Sequence, residues 1–107
     1  MTIYALSSAT GISGVVVIRL SRQDTSKAMH LVTATQLPRP RVATLRKINK
    51  INTSELIDEG LILWFPGPES YTSEDMAEIQ VHGSKAVVDG LHSSLSDIEN
   101  CRLAEPG

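Results

Sequence analysis

The sequence predicts one α+β domain, a mixed and mostly antiparallel sheet carrying two main helices. Three observations lead there. Short segments with strand-like patterning recur along the chain, the clearest being Met76 to His82, which places Ala77, Ile79 and Val81 on one face and Glu78, Gln80 and His82 on the other. Only two segments, one opening at Asp24 and one at Ser84, space their apolar residues at helical intervals. The link from Asn49 to Ser54 is short enough for a hairpin, which predicts antiparallel neighbours. With 107 residues, 41% of them apolar, the chain has material for one core and too little for two.

Taken in order, Ile3 to Leu6 reads as a first strand and the small residues from Ser7 to Gly14 as a turn. Gly11 and Gly14 match neither the dinucleotide pattern nor the phosphate loop, so a plain turn is expected rather than a phosphate cradle. Val15 to Leu20 is β-branched and apolar on both faces except for Arg19, and a guanidinium set in such a strand needs a partner. Asp24, Thr25 and Ser26 offer N-caps to a helix with Ala28, Leu31 and Val32 on its apolar stripe and Lys27 and His30 off it. Leu37-Pro38-Arg39-Pro40 is expected to break that helix. Arg41 to Ile48 then reads as a strand with Val42, Thr44, Arg46 and Ile48 on one face.

Glu55 to Gly60 leads into Leu61 to Phe65, an apolar run too short for a helix and expected to be buried on both faces. Pro66-Gly67-Pro68 stops it, because proline fixes φ and withholds a backbone donor. Thr72 and Ser73 are expected to cap backbone N–H groups in the following loop. Ser84 is the expected N-cap of a helix reaching Ile98, with Val87, Val88, Leu91, Leu95 and Ile98 on its stripe and Gly90 and His92 on an exposed or closely packed face. Cys101 to Ala104 reads as a last short strand. Glu105-Pro106-Gly107 reads as a turn, as in a domain cut from a longer chain.

The formal charge of −2 predicts no general attraction to nucleic acid. Its distribution is uneven, with Arg39, Arg41, Arg46, Lys47 and Lys50 close together and acids concentrated between Glu55 and Glu78; a solvated surface is the expectation. Cys101 is the single cysteine, which excludes an intrachain disulfide and suits a reducing, cytoplasmic compartment. Metal-type Cys/His spacing, a secretory leader and a membrane-length apolar run are all missing, so no metal and no membrane are expected. There is no G-x-x-x-x-G-K-S/T sequence, which excludes triphosphate binding through a phosphate loop. Ser84 lies two residues from His82 without an orienting acid, so no catalytic residue is assigned. The candidate site is the polar face of Met76 to His82 together with Arg19, since an acid, an amide and an imidazole in register can read the hydrogen-bonding edge of a flat heterocycle. From residue chemistry alone, Arg19 and Glu78 read equally as a structural ion pair and as ligand contacts.

Several blocks in this chain resemble one family. L-I-D-E-G-L-I-L-W-F-P-G-P-E-S-Y-T-S-E-D-M-A-E-I-Q-V-H-G, with V-V-V-I-R-L-S near the start, L-P-R-P-R in the middle and R-L-A-E-P-G at the end, is similar to the N-terminal domain of the MnmE/TrmE tRNA-uridine modification GTPases. The blocks stand in the family's order and cover nearly the whole chain. The resemblance implies that residues 1–107 are an N-terminal folate-binding and dimerisation domain, with a fold like the folate-binding aminomethyltransferase of glycine cleavage. It implies that Arg19, matching the arginine of the I-R-I/L-S strand, and Glu78, matching the glutamate of the E-I/L-Q strand, hold 5-formyltetrahydrofolate or a related tetrahydrofolate. A family lysine in the next helix falls beyond Gly107.

Other implied partners belong to the full-length protein: GTP with magnesium and potassium in a separate GTPase domain, a flavin-dependent partner protein, and tRNAs whose wobble uridine receives a carboxymethylaminomethyl group. This chain alone is then expected to be no GTPase. Ala9 to Gly14 and Val81 to Ser84 stand where the family has T-P-P-G-R-G-G and G-H-G-G. The alternative expectation is therefore a structural dimerisation module with a degenerate folate pocket.

Overall fold

Alternating burial along each strand builds one sheet with one covered face. A computed structural model of the chain describes residues 2–8, 14–22, 24–51, 53, 55–67, 74–98 and 101–103. In chain order it has β1 (Thr2–Ser8), β2 (Val15–Arg22), α1 (Thr25–Thr33), β3 (Thr44–Asn49), β4 (Leu56–Phe65), β5 (Met76–His82), α2 (Lys85–Ser96) and β6 (Cys101–Leu103). The six strands lie in the order β3-β4-β5-β2-β1-β6. The β1–β6 pairing is parallel and the other four are antiparallel, so the fold is α+β with a mixed, mostly antiparallel sheet and two helices.

Residues opposite one another in a ladder share a face, and this sorts the side chains. Ile18, Ile79 and Ile62 stand opposite each other across β2, β5 and β4, as do Leu20, Ala77 and Trp64, and all six are buried. They form one core with Ala28, Met29 and Val32 of α1 and Leu91 and Leu95 of α2, so both helices cover this face. The other face carries Val17, Gln80 and Leu61 in one cross-strand row and Arg19, Glu78 and Leu63 in the next. It is left open, with Val15, Leu45 and Leu61 exposed.

Several expectations need correction. Leu61 to Phe65 is the second half of the longer β4 and is buried on one face only: Ile62 and Trp64 are buried, while Leu61 is exposed and Leu63 and Phe65 are half-buried. Helix α1 packs through Thr25, Ala28, Met29 and Val32, and Leu31, placed on the stripe from sequence, is exposed. Asp24 makes no side-chain cap, since its φ of 70° turns it away. Thr25 Oγ1 donates instead to the Arg22 carbonyl at 2.7 Å. The helix also ends before its prolines, where left-handed Ala34 donates its N–H to the His30 carbonyl. Strand β3 begins at Thr44, leaving Val42 outside it and exposed. Strands β1 and β2 each run two residues beyond their expected ends, pairing Ser7 with Val17 and Thr2 with Arg22.

The hairpin between β3 and β4 and the alternation of β5 are as expected. So is the Ser84 cap, whose side chain accepts from the Val87 N–H at 3.2 Å. Thr72, Ser73, most of the Ser7 to Gly14 turn and Ala104 lie outside the described residues.

Gly60 decides how the sheet ends. A Cβ there would collide with the Gln80 carbonyl oxygen, so only glycine lets β4 bend this close to β5. Pairing between β4 and β5 reaches Leu61↔Gln80 and goes no further, while β4 stays paired with β3 as far as Leu56. Beyond Gln80 the end of β5 is therefore paired with β2 on one side and lacks β4 on the other.

Candidate functional site

Arg19 and Glu78 are 59 positions apart in sequence and directly opposite each other in the β2–β5 ladder. Arg19 Nε donates to Glu78 Oε1 at 3.0 Å. The side chains are 50% and 16% exposed, so the carboxylate is largely covered while the guanidinium is half in solvent. That is less buried than a guanidinium in an apolar strand suggests, because this face has no covering layer. Ala5 of β1 stands on the far side of Arg19 and Leu63 of β4 on the far side of Glu78, so the pair lies in a row with one small and one apolar neighbour. Among the described residues, the terminal guanidinium nitrogens and Glu78 Oε2 make no other hydrogen bond. The row can therefore offer paired donors to an oxygen of a ligand and an acceptor to its N–H groups.

Along the same face of β5, Gln80 and His82 follow Glu78. They border a groove of about 190 Å³ lined also by Val15, Leu45, Leu61 and Glu59. His82 is held by Asp58, a residue 24 positions away on the part of β4 beyond the Gly60 bend. Asp58 Oδ2 accepts the His82 backbone N–H at 2.9 Å, and its carboxylate lies 2.9 and 3.1 Å from His82 Nδ1. Burial pushes the Asp58 carboxyl upward, but hydrogen bonds from the His82 backbone and ring and from the Glu59 backbone outweigh it. The net pKa lies below the ordinary carboxylate value.

Asp58 was not singled out from sequence. In L-I-D-E-G-L it reads as one surface acid among several, and only the glycine that follows two positions later hints at the bend that brings it to β5. His92, read from sequence as lying off the α2 stripe, is exposed but engaged, with Nδ1 2.8 Å from Tyr4 Oη beside a separate cavity of about 260 Å³ between α2 and the sheet edge. Ser84 Oγ is occupied as a cap, and His82 turns to Asp58, so these two neighbours form no nucleophile–base pair. Among the described residues no three Cys, His, Asp or Glu side chains gather as a metal site would require, and no helix is long and apolar enough to cross a membrane.

Comparison with known proteins places this chain in a family. Residues 2–107 match the family described as GTP-binding protein TrmE N-terminus. Over 107 residues, all of this chain and 24% of the relative, the sequence is 70% identical to a tRNA modification GTPase MnmE of Pelagibacter ubique. It is 44% identical over 99% of its length to a mitochondrial 5-taurinomethyluridine-tRNA synthase subunit of Homo sapiens, covering 22% of that protein. A tRNA modification GTPase MnmE of Paramagnetospirillum magneticum is 43% identical over 99% of the chain and 24% of the relative. The chain thus spans about a quarter of the length of the curated relatives it matches.

Proposed function

Because the chain belongs to the family of TrmE N-terminal domains, we propose that it binds a reduced folate, 5-formyltetrahydrofolate or a close relative, on the open face of its sheet. The observation that carries this is the Arg19–Glu78 pair, directly cross-strand, half open to solvent and flanked by apolar side chains. Glu78 Oε2 accepts from the amidine-like edge of the pterin, Arg19 donates to ligand oxygens, and Val17, Leu61 and Leu63 supply apolar surface for the flat ring. The donor set fits the group: a carboxylate for an N–H edge, a guanidinium for oxygens, and aliphatic contacts between them. The folate supplies a one-carbon unit, and this chain's residues bind and orient it.

The tRNA modification activity for which its relatives are named supports a role for the domain in tRNA modification; we extend this to the wobble uridine, to a flavin-dependent partner and to the cytoplasm. GTP with its magnesium and potassium is left to a separate domain, since the sequence here lacks a phosphate loop. A second copy of the chain is the proposed cover for apolar surface exposed outside the groove, including Val42 and Leu56.

Isothermal calorimetry with 5-formyltetrahydrofolate tests the reading. Saturable binding that weakens about tenfold in Glu78→Gln, where one acceptor oxygen becomes a donor facing the ligand's own donors, is expected. Dimerisation by sedimentation together with an absence of folate binding would leave the degenerate-pocket alternative.

A further inference from the structure

We propose that Asp58 and His82 form a second polar anchor on this open face, in which Asp58 fixes the imidazole so that Nε2 accepts a hydrogen bond from a ring or exocyclic N–H of the bound heterocycle. The inference rests on the folate reading of the open face and extends it from one anchoring row to two.

The geometry has two parts. One carboxylate takes both the backbone N–H of His82 and its ring Nδ1, so the residue is tied once through its backbone and once through its ring although its side chain is 77% exposed. Asp58 itself is only 15% exposed and stays ionised under ordinary conditions, since its pKa is held below the usual carboxylate value. A carboxylate can only accept, so Nδ1 must carry the proton, and in the neutral ring Nε2 is left as a bare acceptor. An exposed histidine with no such partner exchanges between tautomers, whereas here the carboxylate favours the tautomer that leaves Nε2 as the acceptor.

The second part is position. Glu78, Gln80 and His82 occupy alternate places on one strand face, so consecutive members are separated by about 6.5 Å along β5. Glu78 and His82 are therefore about 13 Å apart along the strand, which leaves room for a fused two-ring heterocycle with a hydrogen bond of about 2.9 Å at each end. The groove of about 190 Å³ lies along the Gln80–His82 part of this row with Leu45, Leu61 and Val15 at its sides. The ligand class is a flat, nitrogen-rich bicycle with N–H donors at two separated edges. Asp58 is a positioning residue that acts through His82.

A structural account also exists, in which the carboxylate merely ties the end of β5 to the bent part of β4. His82→Asn separates the two, because its amide N–H reproduces Nδ1 and keeps the bond to Asp58 while Nε2 is deleted. Calorimetry with 5-formyltetrahydrofolate is run on the wild-type chain, His82→Asn, His82→Gln and Glu78→Gln, alongside melting curves and a long-range proton–nitrogen NMR spectrum of the imidazole. The expected result is an Nδ1–H tautomer in the free protein and a shifted Nε2 resonance on adding the folate. His82→Asn should lose about tenfold in affinity at an unchanged melting temperature, and His82→Gln should recover part of it.

Folate binding that weakens in Glu78→Gln but is untouched in His82→Asn, with Nε2 unmoved, overturns the proposal and leaves the folate reading standing. An Nε2–H tautomer in the free protein overturns it as well. Failure of the wild-type chain to bind the folate overturns the reading and the proposal together, and is distinguished from the other failures by needing no variant.

Discussion

The two faces of this sheet are written on the same strands, residue by residue in alternation, yet they obey different rules. On the covered face Ile18, Ile62 and Ile79 meet across three strands beneath both helices, and the chemistry there is uniformly apolar. On the open face the neighbouring positions hold Arg19, Glu78, Gln80 and His82 among Leu61, Leu63 and Val17. Packing dictates the first set, because each of those side chains is removed from water by partners within the chain. The second set is only partly covered, with Arg19 paired to Glu78 and His82 to Asp58, and an apolar surface with ordered polar groups among it has the composition of a binding face. One face makes the fold and the other is free to be specified by what binds there.

The largest expected effect lies on the covered face. Ile79→Ala removes a fully buried side chain opposite Ile18 and Ile62 and should cost about 2–5 kcal/mol of unfolding free energy, read by urea denaturation. Gln80→Ala, at the next residue on the open face, should stay within about 0.5 kcal/mol. Similar losses for the two would erase the distinction between the faces.

Gly60 is the point where the faces are forced apart, and it comes next in size. In Gly60→Ala the new methyl meets the backbone carbonyl of Gln80, which cannot move as a side-chain tip can, so a loss of about 1–3 kcal/mol is expected. The variant should also disturb the His82 ring signals, because the bend carries Asp58. Unchanged stability with an unperturbed His82 would mean that the bend has no role in bringing β4 to the end of β5.

What could be read from the sequence follows the same division. Period-two alternation in Met76–His82 and the Ser84 cap were legible because each is local, and the partnership of Arg19 with Glu78 because a charge among apolar strand residues demands one. The one-sided burial of Leu61 to Phe65 was not, since an apolar run looks alike whether or not a second layer covers it. Nor was the Asp58–His82 contact, which joins residues 24 apart through a bend that only the fold reveals. The α1 stripe was misjudged at Leu31 because the helix starts at Thr25 and turns Met29 inward instead.

A smaller effect is expected in acid. The folded pKa of Asp58 lies below its ordinary value of 3.8, so its contribution is complete above that value and is lost as pH falls through the folded pKa. Asp58→Asn should therefore be less stable than wild type by about 1 kcal/mol at about pH 6, with the gap closing as pH falls below 3.8 and through the folded pKa. A gap that persists unchanged into strong acid would show that the carboxylate's charge contributes nothing to the end of β5.

The smallest expected effect on stability belongs to the pair proposed to hold the ligand. Arg19 is half exposed and joined to Glu78 by a single bond, a geometry for which coupling in a double-mutant cycle is about 0.2–1 kcal/mol. The two partners are unequal, because Glu78 is the more covered. Arg19→Met leaves a carboxylate with less water around it and should cost slightly more than Glu78→Gln, which leaves only a neutral amide beside a guanidinium that reaches solvent. If the face were built for folding, either single change would cost several kcal/mol and an apolar double replacement would restore most of it, as happens when a buried ion pair is broken and then replaced. Coupling of that size, measured by urea denaturation, would move Arg19 and Glu78 to the side of the core. Coupling below about 1 kcal/mol, alongside the tenfold loss of folate affinity in Glu78→Gln, keeps them where the half-exposed guanidinium puts them, on a surface whose energetics are completed by a ligand.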